Sequence, residues 1–109
     1  MAEILGVFEQ AVLVAVLHLR GDGYGRTIHK EVEARLQRGV TASAVYATLE
    51  RLEAKGLARS RDGEATPQRG GRARRHFAVT AAGIRALNDA RDTAESIWRG
   101  LQWPLKGRA

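Results

Sequence analysis

Seven consecutive apolar residues, Ala11 to Leu17, lie inside a stretch that reads as helix from about Ile4 to Leu19. A helix apolar on nearly every side has to be enclosed by other elements, so the rest of this 109-residue chain is constrained to wrap it. The run is too short to cross a bilayer. Glu3 and Glu9 stand where an export signal would carry positive charge. A chain of this length makes one domain with an adequate but not generous core, and a helix left over at one end would gain from a partner chain. The absence of cysteine excludes disulfides and thiolate metal sites and suits the cytoplasm, which is the expected location.

Periodicity divides the remainder. Tyr24, Ile28, Val32 and Leu36 recur every four residues, which predicts a second helix from about Tyr24 to Arg38, with Asp22 as its N-cap and Gly39 ending it in a left-handed conformation. Thr41 caps a third helix reaching about Lys55, with Val45, Leu49 and Leu52 on one face and Gly56 as C-cap. The period then changes. Residues 57–61 alternate as a half-buried strand does, residues 62–71 are rich in turn formers, and residues 74–79 read as a returning strand. Thr80 caps a last helix to about Gln102, and Pro104 forbids simple continuation. The expected fold is mainly α with a small β-hairpin: a winged helix-turn-helix over residues 1–79, a projecting C-terminal helix over 80–103 and a tail over 104–109.

Charge points to a polyanion. The net charge is +6, with 15 Arg against 3 Lys, and residues 57–76 carry six Arg against Asp62 and Glu64. A basic balance concentrated on one hairpin suits a nucleic-acid backbone. With Val45, Leu49 and Leu52 inward, the third helix turns Ser43, Ala47 and Glu50 outward, flanked by Ala44 and Arg51 on one side and Tyr46 on the other. Small residues after Thr41 let such a helix approach a major groove. Ser43 either reaches a base edge or helps the cap, and Tyr46 either donates to phosphate or packs on the second helix. Glu50 suits phosphate poorly and pairs with Arg51 or Arg26 on the alternative reading. Arg69, Arg72, Arg74 and Arg75 surround Gly70-Gly71 on the wing, where guanidinium groups bind phosphate or enter a narrow minor groove. Strand alternation sends Arg74 and His76 one way and Arg75 and Phe77 the other, so one of the two arginines is expected to support structure.

These residues also form a pattern. Tyr46-x-x-Leu49-x-x-Leu52-Glu53-x-x-Gly56-Leu57, then Gly70-Gly71-Arg72-x-Arg74-Arg75-x-Phe77-x-x-Thr80-x-x-Gly83, with Tyr24-Gly25 ahead of both, resembles the PadR family of bacterial transcriptional regulators, in its short form with one C-terminal helix. The match covers roughly residues 5 to 101. Ala73 stands where proline is common in that family, and His76-Phe77 replaces a pair of aromatics. The resemblance implies repression at a pseudo-palindromic operator in double-stranded DNA by a homodimer. Its C-terminal helices would pack on the partner's first and last helices through Phe8, Val12, Leu87, Ala94, Ile97, Trp98 and Leu101. It also leaves room for an aromatic effector against Trp98, although an ordinary dimer seam is the commoner use of such a position.

No catalytic constellation is visible. His18, His29 and His76 lack metal spacing. Gly21, Gly23 and Gly25 follow no strand and complete no dinucleotide motif. Ser43 and Ser60 have no base partner in the sequence. No enzymatic activity, cofactor, metal or membrane partner is expected. The competing reading is a winged-helix protein–protein interaction module whose basic wing meets an acidic partner.

Overall fold

The computed structural model describes residues 3–64 and 74–107. Its elements run α1 (Val7–His18), β1 (Gly23–Tyr24), α2 (Gly25–Leu36), α3 (Ala42–Ala54), β2 (Ala58–Asp62), β3 (Arg75–Val79) and α4 (Ala81–Trp98). As its apolar run demands, α1 is enclosed. Val12, Leu13, Ala15 and Val16 have no exposed surface. They pack in one cluster with Ile28 and Val32 of α2, Val45, Leu49 and Leu52 of α3, Phe77 and Ala58 of the sheet, and Ala90 of α4. The helix starts at Val7 rather than Ile4 because Glu9 reaches back to accept from the Gly6 amide at 3.2 Å, closing the first turn there.

The entry to α2 differs from expectation. Asp22 is not its cap. Residues 23 and 24 form a short strand that pairs antiparallel with β3, Gly23 opposite Phe77 and Tyr24 opposite His76. The chain therefore stays extended through Tyr24, and Thr27 closes the helix instead, its Oγ1 accepting from the Tyr24 amide at 3.1 Å. The hairpin thus becomes a three-stranded sheet in the order β1-β3-β2. At the other end, the left-handed residue is Gln37 (φ 55°) and not Gly39. Glu33 accepts from the Val40 amide at 3.0 Å and His29 Nε2 lies 2.7 Å from the Val40 carbonyl oxygen. These bonds draw the chain back towards α2 before α3 starts, so the reversal falls two residues earlier than glycine would suggest.

The later caps are where the sequence puts them. Thr41 Oγ1 accepts from the Ala44 amide, and Gly56 takes φ 77° after α3. Thr80 Oγ1 accepts from the Gly83 amide at 3.1 Å, while its hydroxyl donates to the Gly56 carbonyl at 2.7 Å. The start of α4 is thereby tied to the end of α3. Gly83 permits this seat, because a Cβ there would run into the Leu57 carbonyl oxygen and Val79.

From that seat α4 leaves the body. Gly83 and Ala90 are its buried residues, whereas Ala94, Ile97, Trp98 and Leu101 are exposed. Eighteen residues of helix rise about 27 Å, which accounts for much of the long dimension of a molecule measuring 61 × 31 × 20 Å. The helix stops at Trp98 and not near Gln102. Gly100 turns left-handed (φ 84°), the Leu101 amide bonds the Trp98 carbonyl, and Trp103 returns to lie edge-on to Trp98 at 5.2 Å. Among the described residues no helix is long and apolar enough to cross a membrane.

Replacing Gly83 with alanine should push α4 off Leu57 and cost about 1–3 kcal/mol, the usual penalty for overpacking. Urea denaturation measures it; a variant as stable as the parent would refute this seating of α4.

Candidate nucleic-acid interface

Helical geometry fixes what α3 shows to solvent. At about 100° per residue, the buried Val45, Thr48, Leu49 and Leu52 define one side, and Ser43, Ala47 and Glu50 fall opposite. All three are exposed, as are Thr41 and Ala44. The outward face is therefore open and lined with short side chains near its N-terminus.

The two flanks of α3 do different things. On one, the Tyr46 ring packs on the start of α2: a Cβ added to Gly25 would stand 2.5 Å from Tyr46 Cε1 and 2.9 Å from its hydroxyl. The two uses anticipated for Tyr46 are thus compatible. Its ring supports the crossing of α2 and α3, yet the residue remains 46% exposed beside the outward face. Further along the same flank, Glu53 holds the wing. One carboxylate oxygen accepts from the Ser60 amide (3.1 Å) and hydroxyl (2.6 Å), and the other accepts from Arg75 Nη2 at 2.7 Å. Arg75 Nε also donates to Ser60 Oγ at 2.9 Å.

The wing arginines divide accordingly. Arg75 lies 5.5 Å over the Phe77 ring, on the side of the strand that meets α3. Its guanidinium bonds Glu53 and Ser60 and so braces the wing, while its side chain stays 52% exposed. Arg74 lies on the other side, 4.1 Å over the Tyr24 ring, and Tyr24 meets His76 edge-on at 5.8 Å. His76 Nδ1 lies 3.0 Å from the Asp22 carbonyl oxygen. Short β1, invisible to a periodicity reading, is what supplies this second brace. Arg69 and Arg72 lie outside the described residues.

Arg51 is likewise both paired and half exposed. It sits on the flank away from the wing, where Nη2 donates to Thr48 Oγ1 and Nε lies 3.5 Å from Glu9 Oε2. Lys55 Nζ reaches the same oxygen at 3.0 Å. Burial alone would raise the Glu9 carboxyl, but the Lys55 ammonium, the Gly6 amide and Arg51 outweigh it and hold it below its ordinary value. The hydrogen bond to Glu9 correspondingly holds the Lys55 ammonium above its own. Arg51 and Lys55 therefore clamp α1 to α3.

The expected dimer residues also separate. Val12 has no exposed surface and belongs to the subunit's own core, so a partner cannot reach it. Phe8 and Leu87 are half-buried against that core. Ala94, Ile97 (70% exposed), Trp98 (44%) and Leu101 are open. Among the described residues no group of three or more His, Asp and Glu has the arrangement of a metal site.

The profile of the transcriptional regulator PadR-like family matches residues 13–89, a span that contains α2, α3, the wing and the first half of α4. Among solved structures, the chain is similar to a transcriptional regulator from Clostridium thermocellum (22% identity over 84% of this chain and 85% of that one, TM-score 0.68). It is also similar to RosR from H. salinarum (24%, 94% and 84%, TM-score 0.68). A third is a PadR family transcriptional regulator from Eggerthella lenta DSM 2243 (25%, 82% and 75%, TM-score 0.65). No protein of curated function matches the sequence.

The Glu9 clamp has a pH signature. A carboxyl lowered by folding contributes stability above its unfolded value and loses it as pH falls through the folded one. Glu9→Gln should thus be less stable than the parent at neutral pH, with the gap closing as acid protonates the parent's carboxyl. Thermal melts across the carboxylate range measure this; a gap that stays constant into strong acid would remove the ionic role of Glu9.

Proposed function

Because the chain belongs to the PadR-like family of transcriptional regulators, we propose that it acts as a homodimeric repressor reading a pseudo-palindromic operator in duplex DNA. The observation that carries this reading is the pairing of an exposed, small-residue face on α3 with a wing braced along the same helix by Glu53. Ser43, Ala44 and Ala47 leave room for the helix to enter a major groove, Tyr46 flanks it, and Arg74 extends the contact along the wing to neighbouring phosphates. The wing arginines Arg69, Arg72 and Arg74 supply affinity that does not depend on sequence, and the outward face of α3 selects the site.

The projecting half of α4 supports the dimer. Ile97, Trp98, Leu101, Trp103 and Leu105 form a run of exposed apolar side chains at one end of the molecule, which is costly to leave in water. Two chains joined there, with Phe8 and Leu87 at the margin, place two copies of α3 in successive major grooves about 34–36 Å apart. A flat aromatic effector would stack on Trp98, in competition with Trp103 for that ring, and loosen the pair.

Fluorescence anisotropy with genomic fragments over a range of salt tests the assignment. Selective binding with a steep salt dependence is expected, and Arg72→Ala should reduce the salt slope by about one unit across all sequences. Absence of DNA binding beside capture of an acidic protein would replace the regulator with an interaction module. Ile97→Asp or Trp98→Ala should shift sedimentation from dimer to monomer at low concentration, and an intact dimer in both would move the subunit contact elsewhere.

A further inference from the structure

Glu50 stands apart from the other helical glutamates. Glu9, Glu31, Glu53 and Glu95 each meet a lysine or arginine, and Glu33 accepts from the Val40 amide beside His29. Glu50 is exposed, and among the described residues nothing pairs with its carboxylate. Neither neighbour that the sequence offers it is used. Arg51 is turned to Glu9 and Thr48 on the far flank, and Arg26 makes no contact with it. The chain therefore carries an uncompensated negative charge in the middle of the face proposed to enter DNA, on a protein of net charge +6.

A carboxylate there is repelled by every phosphate, so within a groove it is favoured only against a hydrogen-bond donor. The face itself decides how deep it reaches. Ser43 and Ala47 precede Glu50 by seven and three residues on the same side and are short, so Glu50 is the long side chain along that line. With the helix close to the groove, its carboxylate arrives at base edges rather than at the backbone. Guanine presents two acceptors there and thymine an acceptor and a methyl. Adenine places its N7 acceptor beside its amino donor. Cytosine offers its N4 amino group without a competing lone pair. A carboxylate accepts only. We infer that Glu50 is a specificity-determining residue that selects cytosine at one position of each half-site.

This inference rests on the DNA-reading function proposed above, and the experiment separates the two. Bound duplexes are selected from a random pool at fixed salt by the parent chain, by Glu50→Ala and by Glu50→Gln. Glu50 is exposed and unpaired, so all three should melt alike. The parent should enrich cytosine at one symmetric position of a two-fold site. Glu50→Ala should lose that preference alone and discriminate there roughly tenfold or more weakly. Glu50→Gln, which adds a donor, should shift the preference to adenine, whose N6 and N7 fit an amide. If the parent enriches a site and both variants enrich the same base at every position, the assignment of Glu50 is overturned while the regulator stands. If the parent enriches nothing, both fall.

Discussion

The bonds that Ser60 and Arg75 donate to the Glu53 carboxylate fix the angle between α3 and the wing, and the geometry of the outward surface follows from that angle. α3 is itself anchored, since Val45, Leu49 and Leu52 are sealed into the core. A two-stranded hairpin is marginal alone and takes its orientation from what it is attached to. Here it is attached twice. Glu53 holds one side of β3, and Tyr24 holds the other through its pairing with His76 and its stack with Arg74. The strand between α1 and α2 thus makes the wing base continuous with the helix-turn-helix, so that α2, α3 and the wing present themselves as one piece.

Much of this was legible in the sequence because it is local. Thr41 and Thr80 cap their helices through bonds three residues long, and Gly56 takes the left-handed turn that follows α3. Alternation along β3 separated Arg74 from Arg75 correctly, since facing in a strand depends only on parity. What escaped was long-range. Strand β1 has two residues and no pattern of its own; it exists because His76, more than fifty residues away, pairs with Tyr24. The left-handed turn falls on Gln37 because Glu33 and His29 bind Val40, a choice made by side chains on the preceding helix. The family resemblance put Val12 at the subunit seam, and in a helix apolar on nearly every side periodicity cannot tell which sides the chain itself covers. The pairing of Arg51 with Glu9 and of Arg75 with Glu53 was likewise out of reach: a sequence displays a charge but not the carboxylate it meets in space.

The two halves of α4 show how one helix can belong to two environments. Its first half is seated by Gly83 on Leu57 and buries Ala90 against α1, so it is part of the domain. Its second half extends past the body with exposed Ala94, Ile97 and Trp98, and the tail turns Trp103 back onto Trp98. The rigidity of the first half makes the second useful. A helix seated firmly at its base holds its exposed end in a set relation to α3.

The distribution of acids explains how a surface rich in arginine can still be selective. Several carboxylates serve the subunit itself: Glu9 clamps α1 to α3, Glu33 sets the turn, Glu53 orients the wing, and Glu31 and Asp22 face Arg35 and Arg61 on the surface. Each such pairing fixes an element and leaves other cations for a partner. If acids were scattered at random over the basic face, they would weaken attraction for phosphate without adding discrimination. Glu50 on the outward face of α3 lies outside this set of structural bonds, as do exposed Asp62, Asp89 and Asp92 among the described residues. Because the outward face of α3 and the base of the wing are joined through Glu53, neither can be positioned without the other.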